Sequence, residues 1–291
     1  MRRKLIKQGK GALTLSLPSG WIKEQELRPG DEINIEENED GITLKTESKP
    51  QPKKKEISVG YMSPEAYRSL LGSLYRGGYD IIEVKFTNKR VIPNLEKAVN
   101  SIYGFEVFYT SETGCTVRTI YNDEETDIKL HIDRMVYAIH TMQQLIMDDL
   151  KKENKASSDE LMQLRNNVLK QRDLIIRIIK KKRLLSNDIF PYYTISLSLW
   201  GVARNYHHMY MDLDTGHDTE IVQKTNEFFR MFFKKMHSLS MEEYLGHHER
   251  YKKIYKECTT QTRKNPLAAY CMSIILQIQL SDSSIYLLNH G

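Results

Sequence analysis

The sequence predicts an α+β multidomain chain: a half-barrel of short strands, a small α/β module and an all-α helical bundle. Three observations carry this expectation. Apolar and polar residues alternate within short runs over residues 1–48. Residues 57–122 mix such runs with two helical stretches, punctuated by glycine and proline. From residue 123 onward, apolar residues recur at every third or fourth position. Period two is the mark of a strand with one wet and one buried face, and the longer period that of an amphipathic helix. At 291 residues the chain is long enough for two or three cores.

In the first segment, Ala12–Leu17, Glu32–Glu36 and Ile42–Lys45 alternate as strands. Pro18-Ser19-Gly20 closes the strand before it, and Trp21–Glu26 has room for one or two helical turns. Arg28-Pro29-Gly30-Asp31 reads as a turn, because proline presets φ and glycine accepts positive φ. Asp40-Gly41 is a hairpin signal. Four strands this short cannot bury a self-sufficient core, so the unit is expected to complete its barrel with a second copy. Residues 49–56 follow as a linker: Lys49-Pro50-Gln51-Pro52-Lys53-Lys54-Lys55 offers nothing to bury.

The module begins with Ile57-Ser58-Val59 as a short strand. Ser63 then caps a helix over Pro64–Arg76, with proline at its first position and Gly77-Gly78 at its end. A strand over Asp80–Phe86, a helix over Ile92–Tyr103 and paired strands Phe105–Thr110 and Cys115–Ile120 give the order β-α-β-α-β-β. In residues 123–291 six helices are expected. They run through Ile128–Leu150, Leu161–Ile179, Ile189–Tyr210, Thr219–His237, Met241–Cys258 and Asn265–Leu288, as two three-helix halves. Ser186-Asn187-Asp188 is read as the cap of the third, and Asp214-Thr215-Gly216 as the loop before the fourth.

Composition narrows the class. Forty-three Lys+Arg against 38 Asp+Glu give a net charge of +5, and 40% of residues are hydrophobic, which is ordinary globular usage. Three cysteines without a CxxC spacing argue against a disulfide framework and fit a reducing, cytoplasmic setting. The N-terminus lacks the apolar run of a signal peptide, and the uncharged windows Ile189–Ala203 and Asn265–Ser281 are short and rich in polar residues, so no membrane insertion is expected. Charge is uneven within the first segment. Arg2, Arg3, Lys4, Lys7, Lys10, Lys23 and Arg28 crowd residues 1–30, while acids dominate residues 31–48. Such asymmetry suggests a cationic face aimed at an anion; the alternative is a solvated strand face.

The run Leu17-Pro18-Ser19-Gly20-Trp21, then Leu27-Arg28-Pro29-Gly30-Asp31-Glu32-Ile33-Asn34-Ile35, then Gly41-Ile42-Thr43-Leu44 resembles the swapped-hairpin DNA-binding domain of the AbrB family. The resemblance covers residues 1–48 and implies an intertwined dimeric β-barrel. By position it implies that Arg2, Arg3, Lys4, Lys7, Lys10 and Lys23 face DNA. Lysine is a point charge that meets phosphate better than a guanine edge. The remainder resembles archaeal phosphate-uptake regulators of the PhoU type, carried by Tyr67–Leu70, Leu74–Ile82 and Tyr103–Val107 before the bundle. This implies a PhoU-like all-α bundle and a cytoplasmic regulator of phosphate-transport genes.

PhoU bundles hold metal through carboxylates spaced i,i+4. Here Asp173 finds Leu169 at that spacing, and the fifth helix has no such pair; Asp149 and Glu153 have it, but at a helix end. The densest other ligand set is His207-His208, Asp212, Asp214, His217 and Asp218 around a helix–helix loop. From it His208, Asp212, Asp214 and His217 are the metal candidates; otherwise no metal or cofactor is expected. His131 and His140 are read as packed or interfacial, and Tyr192, Tyr193 and Trp200 as bundle packing. The basic run Lys170, Arg172, Arg177, Lys180–Arg183 is read first as a solvated face, with an anionic partner as the alternative. No GxSxG, Walker A or HExxH motif occurs, nor a cysteine with an evident histidine partner, so no catalysis is expected.

The reading is a homodimeric DNA-binding regulator of phosphate uptake whose bundle senses a signal or docks a partner. Three alternatives stand beside it. One is a signalling adaptor of a phosphate transporter, in which the head only dimerises. Another is a metal- or phosphate-binding sensor. An antitoxin is the third, against which the long bundle argues.

Overall fold

A computed structural model describes residues 2–9, 11–38, 41–46, 51–121, 126–182, 189–213, 219–234 and 236–290. Two compact units emerge, Met1–Pro52 and Lys53–Gly291. The expected Asp40, Lys49-Pro50, Ser186–Asp188 and Asp214–Gly216 features lie outside the described residues.

The first unit is two separate antiparallel ladders with a short helix between them. Strand β1 (Ile6–Gln8) pairs with β2 (Ala12–Thr14), and β3 (Asn34–Asn38) with β4 (Gly41–Lys45). Helix α1 (Ser19–Glu24) lies between the ladders in sequence. No closed barrel forms among the described residues of one chain. Ile35 opposes Leu44, so Ile35, Leu44 and Ile42 share one face of the second ladder, as period two requires. The first ladder is less clean, because Lys7 opposes Leu13 and shares its face. No described residue of this unit is buried; Ile35 is 64% exposed and Ile42 67%.

The second unit opens with a four-stranded sheet ordered β5-β6-β8-β7, built from β5 (Lys54–Ser58), β6 (Ile81–Lys85), β7 (Phe105–Thr110) and β8 (Gly114–Thr119). β5 runs parallel to β6, and the other pairs are antiparallel. Helices α2 (Pro64–Arg76) and α3 (Ile92–Asn100) supply Tyr67, Leu71, Tyr75, Leu95 and Val99 to a core shared with Ile82, Val84, Phe105 and Val117. Ser63 caps α2 through Ala66 N–H, with Pro64 in the first turn. One expectation is corrected here. Lys53–Glu56 is no tether: the strand starts at Lys54, and Lys53 N–H donates to Asp80 Oδ2 at 2.8 Å. An edge strand pairs through its backbone, so it tolerates lysines that bury nothing.

Seven helices follow: α4 (Ile128–Lys152), α5 (Ser158–Lys182), α6 (Phe190–Met211), α7 (Glu220–Lys234), α8 (Met241–Gln261), α9 (Leu267–Leu280) and α10 (Asp282–His290). α4, α5 and α6 pack as one trio and α7, α8 and α9 as another, joined mainly by α6 against α9. The expected sixth helix breaks at Ser281, where Ser281-Asp282-Ser283-Ser284 offers side chains that compete for the backbone. Leu267–His290 is long and apolar enough by composition to cross a membrane, yet it spans this break and buries Cys271, Ile274, Ile275, Ile278 and Ile285 in the bundle core.

The α/β module and the bundle share a core, because Leu174 and Ile178 of α5 pack among the residues of α2 and the sheet. Two buried ion clusters lock the contact. Asp173, with no side-chain exposure, accepts from Arg68 at 2.5 Å, Arg172 at 2.5 Å and Arg76 at 3.1 Å. Arg68 and Arg76 reach it across Gly72, where a Cβ would stand 2.3 Å from the Arg68 guanidinium. Arg177, fully buried, donates to the carbonyls of Tyr75 and Tyr79 and to Asp80, which Lys181 also contacts at 2.7 Å. The basic run of α5 is therefore not a solvated face. Its Arg172, Arg177 and Lys181 turn inward because the module supplies the oxygens that α5 lacks.

Burial alone raises the Asp173 carboxyl, but Arg172 and Arg68 outweigh it and hold the pKa below the usual range. A lowered folded pKa stabilises above the unfolded value of about 4, and that contribution fades as pH falls through the folded value. Asp173→Asn is expected to lower unfolding free energy at pH 7 by about 3–5 kcal/mol, the scale of a broken buried pair. The gap from the parent protein is expected to narrow below about pH 4, where the aspartate itself protonates. Urea denaturation at both pH values measures this; an equal gap at both would remove the ionised carboxylate from the account.

Candidate nucleic-acid interface

In the first unit, a sharp local backbone positions the basic residues. Arg2, Arg3 and Lys4 lie on the exposed segment entering β1, and Lys7 sits at the centre of that strand. Gly9 and Gly11, with φ of +70° and +100°, flank the reversal into β2. Lys10 lies outside the described residues. Pro18 is extended at the N-terminus of α1, and its carbonyl accepts from Ile22 N–H at 3.0 Å. Lys23 is exposed in the last turn of α1, beside the C-terminal carbonyls that favour a cation.

The Arg28-Pro29-Gly30-Asp31 turn forms as the sequence predicts. Asp31 N–H donates to the Arg28 carbonyl at 3.1 Å, and the Asp31 carboxylate accepts from Arg28 N–H at 2.7 Å. Gly30 takes φ +99°, which only glycine adopts without strain. Beyond it, Thr46 donates to Gln25 at 3.0 Å, tying the end of the second ladder to the end of α1.

Arg2, Arg3, Lys4, Lys7 and Lys23 are all exposed, and none forms an ion pair among the described residues. The acids Glu32, Glu36 and Glu37 sit on or beside β3. Cations left without intramolecular partners suit contact with phosphates, where association is driven by counterion release.

The metal candidates fare differently. His207 and His208 stack edge to face at 5.8 Å on α6. Asp212 ends that helix and accepts a hydrogen bond from Tyr270. Asp214, His217 and Asp218 lie outside the described residues. Among the described residues, no three His, Cys, Asp or Glu side chains are grouped to hold a metal ion. Asp149 is a structural acceptor, taking Tyr210 O–H at 2.6 Å and Ser157 N–H at 2.9 Å, while Glu153 ends α4 with positive φ. His131 is buried against Gln171, and His140 lies edge to face with Phe229. Trp200 packs beneath Arg165 and Arg172. Cys115, Cys258 and Cys271 are free and buried, and burial pushes their thiols up to about 11, 11 and 12.

Sequence reasoning missed the Asp173 and Arg177 clusters. The available signal was Asp173 itself, a lone acid inside an otherwise basic helix.

Residues 6–57 match the family model described as "Antidote-toxin recognition MazE, bacterial antitoxin". No curated protein and no solved structure matches the chain. The matched stretch contains both ladders, α1 and the Pro29-Gly30 turn, and it ends within β5. The N-terminal segment is thus a MazE/AbrB-like domain, consistent at a coarse level with a DNA-binding regulator.

Proposed function

We propose that the protein is a homodimeric DNA-binding transcriptional regulator whose N-terminal segment grips DNA and whose helical bundle senses a signal or docks a partner. The observation that carries the reading is the open apolar surface of the first unit. Leu5, Ile6, Leu13, Leu15, Ile35 and Ile42 are all exposed on a segment with no core of its own. A second copy interleaving its strands would cover those side chains and double the set of Arg2, Arg3, Lys4, Lys7, Lys10 and Lys23. The MazE-like match supports the same reading.

The finer proposal is regulation of phosphate uptake through a PhoU-like bundle in the cytoplasm, supported by the resemblance around Tyr67–Ile82 and Tyr103–Val107. On this reading the protein is not an enzyme, needs no cofactor and does not insert into a membrane. The printed description of the matched family also favours a second reading, an antitoxin head that recognises a toxin. Co-purification of a small protein partner, in place of DNA, would support it. Pull-down of transporter subunits without DNA retardation would support the adaptor alternative, and elemental analysis of the purified protein would test the metal sensor.

DNA retardation across a salt series tests the main proposal. Affinity is expected to fall steeply with salt, and Lys4→Ala with Lys7→Ala to weaken binding to all sequences alike. The log–log salt slope is expected to flatten by roughly two units, about 0.9 per lost phosphate contact. An unchanged slope would remove both residues from the interface.

A further inference from the structure

Between the two helix trios the bundle leaves a cleft, walled by α4 on one side and α7 on the other. Its volume is about 500 Å³, within the roughly 300–1,000 Å³ typical of small-molecule sites. Tyr206 of α6 is fully buried. Its hydroxyl donates to Asn226 Oδ1 at 2.7 Å and accepts from Gln143 Nε2 at 3.0 Å. Gln143 and Asn226 line the cleft at 4% and 3% exposure.

One hydroxyl carries one hydrogen, so this chain of bonds can run in either direction. Either way, one amide N–H₂ donor and one amide carbonyl remain for a further partner. Among the described residues, Gln143 Oε1 and Asn226 Nδ2 make no hydrogen bond. The cleft therefore presents an adjacent donor and acceptor, held in place by a buried tyrosine.

The rim adds charge of both signs. Asp148 and Lys151 come from α4, Glu227 and Arg230 from α7. Each acid precedes its base by three residues, which puts the two on one helix face. None of the four forms an ion pair among the described residues. The two bases balance the two acids. His140 adds no charge near neutrality, because burial and then Arg230 hold its pKa below the ordinary histidine value.

We propose that this cleft binds a small zwitterion of the free amino-acid class, its carboxylate on Arg230, its ammonium on Glu227 and a neutral amide or hydroxyl group on Gln143 and Asn226. The close spacing of Glu227 and Arg230 suits the short separation of ammonium and carboxylate in an α-amino acid. Inorganic phosphate suits the cleft poorly, since two carboxylates face it. The proposal deepens the reading of the bundle as a sensing part and rests on that reading for its regulatory use.

Calorimetric titration of the full chain, without DNA, tests it with L-glutamine, L-asparagine, L-serine and inorganic phosphate. Glu227→Gln and Arg230→Gln serve as variants; both residues are exposed, and circular dichroism confirms that their helices persist. At least one amino acid is expected to bind, and each substitution to weaken it by roughly tenfold or more, as for a lost charge-assisted hydrogen bond. No heat with any amino acid at millimolar concentration, or binding indifferent to both substitutions, would overturn the proposal. So would phosphate binding abolished by Arg230→Gln. Lys4→Ala with Lys7→Ala is expected to leave this titration unchanged, so failure of the DNA reading and failure of the cleft are separately visible.

Discussion

The constraint on which the account depends is that the N-terminal strands have no interior. Two ladders of three and five residues per strand cannot sandwich anything between them within one chain, and none of their described residues is buried. Apolar surface left in water costs roughly 25 cal/mol per Å², so a row of open leucines and isoleucines is a standing drive toward association. The same strands carry the unpaired cations. Assembly and charge presentation are thus one event: the contact that would cover the aliphatic side chains would also gather two sets of lysines and arginines.

The second unit solves a different problem. Its sheet is covered on one face by α2 and α3, and α5 then packs on α2 through Leu174 and Ile178. A helix as basic as α5 would be expected to stay in water. It docks because each inward cation meets oxygen: Arg177 meets two carbonyls and Asp80, and three arginines converge on Asp173. Buried pairs of this kind are poor sources of net stability but costly to break, which makes them register pins more than glue. They fix how the α/β module meets the bundle.

Much of this was legible in the sequence, for local reasons. Ser63-Pro64 and Ser240 with Glu243 mark helix starts chemically, and α2 and α8 begin where those residues stand. The Pro29-Gly30 turn formed because proline and glycine restrict φ whatever surrounds them. Features that depend on distant partners were not legible. Lys54 and Lys55 read as a solvated tether because their strand pairing is with β6, some 27 residues on. Arg177 read as surface because the carbonyls that bury it belong to residues about 100 positions earlier. Phe108, left outside the ladder by the irregularity between Val107 and Tyr109, interrupts an alternation that looked regular. The cleft beside Gln143 and Asn226 was invisible too, since no motif links residues that meet only through Tyr206.

Sedimentation equilibrium of the full chain tests the central claim most directly, comparing the parent protein with Ile35→Lys combined with Ile42→Lys. The account predicts a parent species of twice the 34.1 kDa chain mass and a variant shifted to the single chain, with the helical signal of the second unit retained. A parent protein that stays at the single-chain mass throughout the micromolar range would contradict it, because the N-terminal strands would then stand exposed with nothing to cover them.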